Sequence, residues 1–456
     1  MKLTRIIIAA LAVVMLGSCN IYKKYETPTD SALTKAYAEA RKAEVDSAAF
    51  GNMVWEDIFT DPMLADLINQ ALTNNTNLRN AKLNIDMARA QVLGAKLSYL
   101  PAVALSPNGA GSSYAGSKLG WTYTLPAQAS WEIDIFGKLL NSKRGAQVAL
   151  QQSEDYYQAV RSQIVAAVAS TYYTIAMYQS QLDLSRETAQ LWSQSVQTMR
   201  DLKLAGRTNE ASVVQSEANY YSILASITDI EVKLHEMNNT MSLLLNVMPQ
   251  TFAIPGTATL TVPAIYREGV PMRELAARPD VRAAEMNLAA AYYTTNAARA
   301  AFYPGLSISF QGGFSNIVGS TVGNPVEWFY QLAGSLVAPL FSRGQNIAKL
   351  KAAKAQQQQA LNSFEYTLMS AASEVSEAMV VYQKNVEKSK FLALQVDDMT
   401  KALSYTTDLL NYYNGTYLEV LTAQQGLLSA QMNEIACRQM QALAVISLYQ
   451  SLGGGR

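Results

Sequence analysis

The chain has 456 residues, and its 36 Lys and Arg side chains balance its 36 Asp and Glu side chains, so the formal net charge is zero. Charged residues make up only 16% of the sequence, against about 25% in an ordinary soluble domain. A chain with so little charge lacks the clustered Lys and Arg that nucleic-acid binding requires. With one His, two Cys and no nucleophile–base pattern, we expect no metal site, no other cofactor and no enzymatic activity.

Residues 1–18 have the pattern of a signal peptide. A basic start precedes an apolar run from residue 6 to residue 16, which is too short to cross a bilayer. The sequence LGSC at 16–19 resembles the lipobox of bacterial lipoproteins, which implies cleavage before Cys19 and attachment of lipid, such as palmitate, to this residue. The alternative is a plain secretory signal with an incidental cysteine. With Cys19 lipidated, Cys437 has no disulfide partner and is expected to be a small buried helix residue.

The remaining sequence contains a duplication with a period of about 203–207 residues. The segment that ends at Pro101 returns in the segment that ends at Pro304, and the pattern around Val213 returns around Val420. Chance similarity of two helical segments is the alternative. The division that we predict is an anchored N-terminal segment with the first helices at 19–76, a first repeat at 77–248, an equatorial-type linker at 249–278, a second repeat at 279–450 and a tail at 451–456.

Each repeat begins with a helix and then changes its hydrophobic period. Residues 77–99 and 279–302 are rich in Ala and polar side chains, which predicts helices that end before a proline. Beyond each proline, apolar and polar residues alternate as they do in strands. We therefore predict two β-hairpins, whose paired strands are 101–117 with 120–136 and 304–318 with 326–341.

The predicted strands favour a membrane over a soluble sheet. They are longer than the usual ~5–6 residues and match the ~9–11 residues of a tilted membrane strand. Their aromatic residues lie where an aromatic girdle would be: Trp121, Tyr123, Trp131, Trp328 and Tyr330. No stretch beyond the signal peptide is apolar enough for a membrane helix, so any crossing would use strands. The alternative is a soluble sandwich, whose strands also alternate.

A long helix follows each hairpin, at 140–205 and 345–412, and a shorter helix returns at 209–248 and 417–450. At 1.5 Å rise per residue, each long helix would extend about 100 Å. In the first long helix an apolar residue recurs at every seventh position, as in the seam of a coiled coil: Val168, Ile175, Leu182, Ala189 and Val196. Glycine-containing turns at 202–212 and 411–419 would connect each helix pair.

Four membrane strands are too few to close a barrel. An open sheet edge in lipid leaves backbone groups unsatisfied at a cost of several kcal/mol each, so copies of the chain must supply further strands. Two copies give eight strands around a filled interior, whereas three give twelve and leave room for a water-filled pore. A homotrimer would also gather the helices into a tube about 100 Å long. The sequence therefore predicts a conduit that is mainly α-helical with a transmembrane β-barrel.

Five motifs, in order along the chain, resemble those of the TolC-like outer-membrane efflux proteins, specifically the lipoprotein branch of RND-type tripartite pumps. They start at residues 55, 131, 278, 418 and 448, and they read WxxxFxDPxLxxLIxxALxxN, WEIDIFG, RPDVRAAE followed by ARAAFYP, LEVLTAQQ and LYxxLGGG. The resemblance implies a TolC-like trimeric α/β-barrel with four strands and long coiled helices per protomer. It also implies a lipid-anchored protein of the bacterial outer membrane with its helical tube in the periplasm.

By the same resemblance, the chain is the passive outer-membrane channel of a tripartite system that exports drugs or other small molecules. A periplasmic membrane-fusion adaptor would dock on the helical tips and connect the channel to an inner-membrane RND-type transporter, while outer-membrane lipid surrounds the barrel. The expected adaptor contacts, which could instead be merely solvated turn residues, are Gly206, Arg207, Asn209, Tyr413, Asn414 and Gly415. Two alternatives stay open: a protein-export channel of type I secretion, and a non-conducting structural lipoprotein that spans the periplasm.

Some family members close the periplasmic end with an apolar residue, a carboxylate and a basic residue at spacings of four and three. The matching positions here are Leu418, Thr422 and Gln425, so the charged pair is absent. Either Leu418 and hydrogen bonding close this channel, or its gate lies elsewhere.

Five other polar residues fit ordinary structural roles better than chemistry. Glu374 and Glu377 lie on one helix face, where we expect solvent or the lumen rather than a catalytic pair. His235 is expected to be a surface or interhelix residue. Glu132, together with the neighbouring Asp134, either makes the lumen negative or forms a salt bridge at its rim.

Overall fold

A computed structural model of the chain describes residues 22–42, 53–113, 116, 118–256, 272–316, 327–412 and 416–454. Cys19 and the signal peptide lie outside these ranges, as do Tyr413, Asn414 and Gly415. Across these ranges, the helices are all either too short or too polar to be membrane-spanning segments.

The chain forms two compact units. Unit 1 comprises Met1–Ala38, Leu83–Asp155 and Arg282–Thr367, and unit 2 comprises Glu39–Lys82, Tyr156–Val281 and Leu368–Arg456. Each unit draws residues from both sequence repeats.

Helices account for most of the described residues. In chain order they are α1 (Ala32–Ala40), α2 (Trp55–Ile58), α3 (Pro62–Asn74), α4 (Thr76–Leu97), α5 (Lys138–Leu204), α6 (Glu210–Leu245), α7 (Met272–Ala277), α8 (Pro279–Ala300), α9 (Gln345–Tyr412) and α10 (Tyr417–Ser451). The two longest helices, α5 and α9, contain 67 and 68 residues. Both begin and end within two residues of the bounds predicted from the hydrophobic pattern.

Polar side chains cap the N-termini of helices, where backbone amides would otherwise lack hydrogen-bond partners. The Asp61 carboxylate accepts a hydrogen bond from the Met63 amide at 2.9 Å and caps α3, which begins with Pro62. The Glu419 carboxylate accepts from the amide of Thr416, just before α10, at 3.2 Å. These caps satisfy amide donors that the first helical turn leaves free.

Unit 1 contains an antiparallel sheet of five strands: β1 (Ala102–Leu105), β2 (Asn108–Ser112), β3 (Gly120–Ile133), β4 (Gly305–Asn316) and β5 (Glu327–Val337). The order is β1-β3-β4-β5, and β2 also pairs with β3. The predicted strand 101–117 is therefore two short strands on one partner, interrupted at Ser106 and Pro107. Because proline has no amide hydrogen, Pro107 cannot continue the ladder.

Two predicted strands end earlier than their apolar pattern does. The strand predicted at 120–136 ends at Ile133, because the chain then turns into α5 through Gly137, whose φ is +70°. The strand predicted at 326–341 ends at Val337, two residues before Pro339, which lacks an amide donor.

The core of unit 2 contains the predicted seven-residue seam. All five of its residues are buried: Val168, Ile175, Leu182, Ala189 and Val196. Aromatic residues pack in the same unit, and Phe59 and Tyr449 meet edge to face with ring centroids 6.1 Å apart. The Tyr172 hydroxyl donates to Asp61 at 2.6 Å, and burial followed by this hydrogen bond raises the pKa of Tyr172. Because its five residues are all buried, the predicted seam is confirmed as part of the core formed by α5.

In unit 1 the N-terminal segment is held by polar contacts. The buried Glu285 carboxylate accepts hydrogen bonds from the hydroxyls of Thr27, at 2.6 Å, and Tyr37, at 3.0 Å. The Tyr25 amide donates to the Tyr293 hydroxyl at 3.0 Å. These contacts fasten residues 22–38 to α8.

Candidate functional site: the sheet, the helix ends and the turns

One face of the sheet is apolar and exposed. The register aligns apolar residues across three strands, so that Leu125 lies opposite Phe314, which lies opposite Trp328. On β5, Trp328 is 71% exposed and stacks on Tyr330, with ring centroids 5.7 Å apart. The further large exposed residues of this face are Val103, Leu105, Trp121, Trp131, Phe310, Leu332 and Leu336. Soluble monomers rarely leave so large an apolar patch uncovered.

The opposite face is polar, and the sheet has two open edges. Gln128 lies opposite Gln311, which lies opposite Gln331, and Ser and Thr residues continue this face. Among the described strands, β5 pairs only with β4, while β1 and β2 pair only with β3. The backbone groups at both outer edges are available for further strands.

Aromatic and charged side chains surround the junction where the helices meet the sheet. The Trp131 indole donates from Nε1 to the Tyr99 carbonyl at 2.8 Å, and Phe136 stacks on Tyr303 with centroids 4.9 Å apart. Glu132 forms an ion pair with Lys138, whose Nζ lies 2.8 Å from Oε1 of the carboxylate. This contact agrees with a salt bridge at the rim, one of the two roles expected for Glu132.

Asp134, the other acidic residue at this junction, acts as a helix cap. Its Oδ2 accepts from the Leu140 amide in the first turn of α5 at 2.7 Å.

The turn between α5 and α6 has the geometry of a helix stop. Gly206 has φ +73°, and the Arg207 amide donates to the Leu202 carbonyl at 2.9 Å. Asn209 accepts from the Ser212 amide at 3.1 Å and caps α6. The side chains of Arg207 and Asn209 are exposed, as an adaptor contact requires.

The three candidate gate residues lie along one exposed face of α10. The side chain of Leu418 is 63% exposed, and the Thr422 hydroxyl donates to the backbone carbonyl of Leu418 at 2.8 Å. Gln425 donates from Nε2 to Asn219 Oδ1 in α6 at 2.9 Å. Gln425 therefore joins the two return helices, a contact between residues far apart in sequence that the motif alone does not reveal.

Arg278 is a buried hub in unit 2 whose role the sequence motif did not reveal. It is 5% exposed, and it donates to the Ser451 carbonyl from Nη1 and to Glu374 from Nη2, both at 2.7 Å. It also grips both carboxylate oxygens of Asp280. Burial lowers the pKa of Arg278, but hydrogen bonds and charge from Asp280 and Glu374 outweigh it, so the pKa is raised. The guanidinium is thus a permanent charge that joins α8, α9 and the end of α10.

This hub changes the interpretation of the acidic pair on α9. Glu374 is half exposed but ion-paired, whereas Glu377 is an exposed surface residue. His235 is also exposed, and its Nε2 is 3.1 Å from the Asn239 amide nitrogen. Within the described ranges there is no group of three His, Cys, Asp or Glu residues that could hold a metal ion.

Residues 67–247 and 270–454 match the family described as Outer membrane efflux protein. The chain belongs to this family. The family predicted from the five motifs is therefore confirmed.

Relatives in the outer membrane efflux protein family match this chain over nearly its whole length. The cation efflux system protein CusC of Escherichia coli is 28% identical over 454 residues, which cover 96% of each chain. The toluene efflux pump outer membrane protein TtgC of Pseudomonas putida is also 28% identical, over 98% of this chain and 94% of its own. The relatives are outer-membrane efflux proteins rather than enzymes.

Solved structures confirm the predicted TolC-like fold. A crystal structure of CusC superimposes with a TM-score of 0.83 at 25% identity, covering 96% of this chain and 100% of that one. The outer-membrane channel OprN also gives a TM-score of 0.83 at 25% identity, covering 96% of this chain and 99% of its own. The long helices and the small antiparallel sheet are thus a shared architecture of efflux channels.

Proposed function

We propose that this protein is the outer-membrane channel of an efflux system and passively conducts small molecules or ions out of the cell. The observation that carries this function is the sheet, with one exposed apolar face, one polar face and two open edges. An apolar face suits hydrocarbon, and a polar face suits a water-filled lumen. A purely structural tether gives no reason for this division.

The open edges support a trimer. In hydrocarbon each unpaired backbone group costs several kcal/mol, so the edge strands β5 and β1–β2 need partners from other copies. Two copies provide eight strand positions, which side chains would fill, whereas three copies provide twelve around a pore.

A lipid on Cys19 fits the position of the first described residues. The Arg144 guanidinium donates from Nη1 to the Tyr22 carbonyl at 3.3 Å, beside the start of α5. The Tyr22 ring also lies 3.5 Å from the position of a Cβ on Gly137. Because Cys19 is three residues before Tyr22 in the sequence, a lipid on Cys19 would anchor the part of the chain that begins beside this junction.

The partners follow from this role. A periplasmic adaptor would bind the helical turns at 202–212 and 411–419, and an inner-membrane transporter would supply the energy. CusC and TtgC are equally similar to this chain, yet one is named for cation efflux and the other for toluene efflux. The transporter would therefore select the substrate, while the channel accepts what is delivered. Both names describe efflux, which favours efflux over protein secretion.

The gate hypothesis places Leu418 at the periplasmic constriction. Its side chain is large, apolar and 63% exposed, and the neighbouring Thr422 and Gln425 are already hydrogen-bonded. Truncation to alanine would widen the constriction without breaking a described hydrogen bond of its side chain.

Release of a trapped dye from vesicles tests both the channel and the gate. The purified full-length protein should release the dye without an energy source, and Leu418→Ala should release it several-fold faster. Leu394, which is 62% exposed on α9, provides the matched control Leu394→Ala. If no variant releases the dye, the proposal that the protein is a channel is contradicted. If all variants release the dye at equal rates, Leu418 is not part of the gate.

A further inference from the structure

Nine basic side chains lie at the helix ends that adjoin the sheet of unit 1, and together they are called the basic collar. Its members are Lys96 on α4, Lys138, Lys143 and Arg144 on α5, Arg299 on α8, Arg343 before α9, and Lys349, Lys351 and Lys354 on α9. The collar is unusual in a chain whose total charge is zero.

Acidic residues do not balance the collar. The flanking segments 94–101, 134–153, 294–304 and 338–364 contain one acidic residue, Asp134, which caps α5. Glu132, at the end of β3, forms the ion pair with Lys138. The other eight basic residues make no ion pair with a described residue, and six of them have exposed side chains: Lys96, Arg299, Arg343, Lys349, Lys351 and Lys354.

The collar lies at the depth of a membrane surface if the sheet lies in hydrocarbon. Lys354, its member furthest along α9, is nine residues beyond the helix start, or about 14 Å. The headgroup region of one leaflet is ~5–8 Å thick, and electrostatic attraction extends a further Debye length of ~8–10 Å into water. Because a lysine side chain also extends toward the interface, the Lys354 ammonium is within range of the lipid phosphates.

The aromatic residues of the junction support this depth. The Lys143 ammonium lies 5.7 Å from the centroid of the Tyr99 ring, and Trp131 is anchored to the carbonyl of the same tyrosine. Amphipathic aromatic rings and basic side chains are the residues that occupy the boundary between hydrocarbon and water.

We propose that the basic collar binds the phosphate groups of anionic phospholipids in the leaflet that meets the helix end of the sheet. This inference rests on the proposed function, which places the sheet in the membrane. Lys and Arg near a surface of anionic lipid are each attracted to it, and an uncompensated group of them selects anionic over zwitterionic headgroups.

The test compares two double variants of the full-length protein that remove the same charge. Lys351→Gln with Lys354→Gln alters the collar, and the control Lys388→Gln with Lys390→Gln alters exposed lysines of the same helix in unit 2. Binding of fluorescent phosphatidylglycerol and phosphatidylcholine to the detergent-solubilised protein is titrated. We expect the unmodified protein and the control to prefer phosphatidylglycerol, and the collar variant to bind it on the order of 25-fold more weakly, about fivefold for each charge.

Three results would overturn the proposal: no preference for phosphatidylglycerol, an equal loss in both double variants, or displacement of the lipid by inorganic phosphate at modest concentration. The dye-release assay separates this failure from failure of the channel. If dye is released but the lipid preference is absent, the collar assignment is wrong and the channel stands.

Discussion

The division of the sheet into a lipid face and a lumen face predicts opposite outcomes for two adjacent substitutions on β5. Leu332 lies on the apolar face opposite Phe310 and is 71% exposed, whereas Gln331 lies on the polar face opposite Gln311. Leu332→Arg would place a charge in hydrocarbon, whereas Gln331→Arg would place the same charge in water. Both residues are exposed in the single chain, so loss of packing is not the difference between them.

The position of Leu332 sets the size of the effect. It is the middle residue of β5, which runs from Glu327 to Val337, and it therefore lies near the bilayer midplane. An arginine on the lipid face at that depth costs about 2–4 kcal/mol, and near the interface only about 0–1 kcal/mol. Leu332→Arg should therefore destabilise the folded channel by about 2–4 kcal/mol, and Leu336→Arg, near the strand end, by about 1 kcal/mol or less.

Urea titration of the protein folded in lipid vesicles measures these differences. We expect the unfolding midpoint to fall in the order Gln331→Arg, Leu336→Arg, Leu332→Arg, with the first close to the unmodified protein. Gln331→Arg should also shift the ion selectivity of the pore toward anions, because its positive charge would face the lumen. If Leu332→Arg proved as stable as Gln331→Arg, the assignment of the two faces would be refuted.

Three further predictions concern the buried arginine of unit 2, the sheet and the buried cysteine. Arg278→Ala should lower the free energy of unfolding by about 2–4 kcal/mol, because two carboxylates and the Ser451 carbonyl lose their buried partner. The control Arg186→Ala removes only an exposed ion pair and should lower it by about 1 kcal/mol or less. Thermal unfolding measures both differences. Gly313→Ala should abolish assembly of the sheet on a non-denaturing gel, because the added Cβ meets the backbone of β3; Gly334→Ala, whose Cβ has open space, should assemble normally. Burial raises the pKa of the Cys437 thiol, so less thiolate is present at pH 8 than in the unfolded chain, and maleimide labelling should be slower before denaturation than after it. Equal labelling rates, or equal outcomes within either pair of variants, would contradict these predictions.

Local patterns predicted the helices and strands because helix and strand periods depend on neighbouring residues. Pro101 and Pro304 marked the helix ends to within a few residues, and the seven-residue seam marked the buried face of α5. The break in the first strand was not predicted, because alternation of side chains continues through a position that cannot donate a hydrogen bond, as at Pro107.

The contacts that join distant parts of the chain could not be predicted from local patterns. Arg278 meets Glu374 and the end of α10 across 96 and 173 residues, and Gln425 meets Asn219 across 206. Such contacts depend on how the helices pack against each other, and no repeat or motif spacing in a single sequence indicates which distant residues will meet. The collar is different, because its charge excess is visible in the sequence and gains meaning once the helix ends are known to adjoin the sheet.

The number of chains that share one sheet tests the central claim most directly. Native mass spectrometry of the protein released from lipid nanodiscs should detect three copies of the 49.8 kDa chain, less the signal peptide and with any lipid that remains bound. That result is predicted because the two open edges of each sheet need strands from other copies. A stable monomer that needs neither lipid nor detergent would contradict the account.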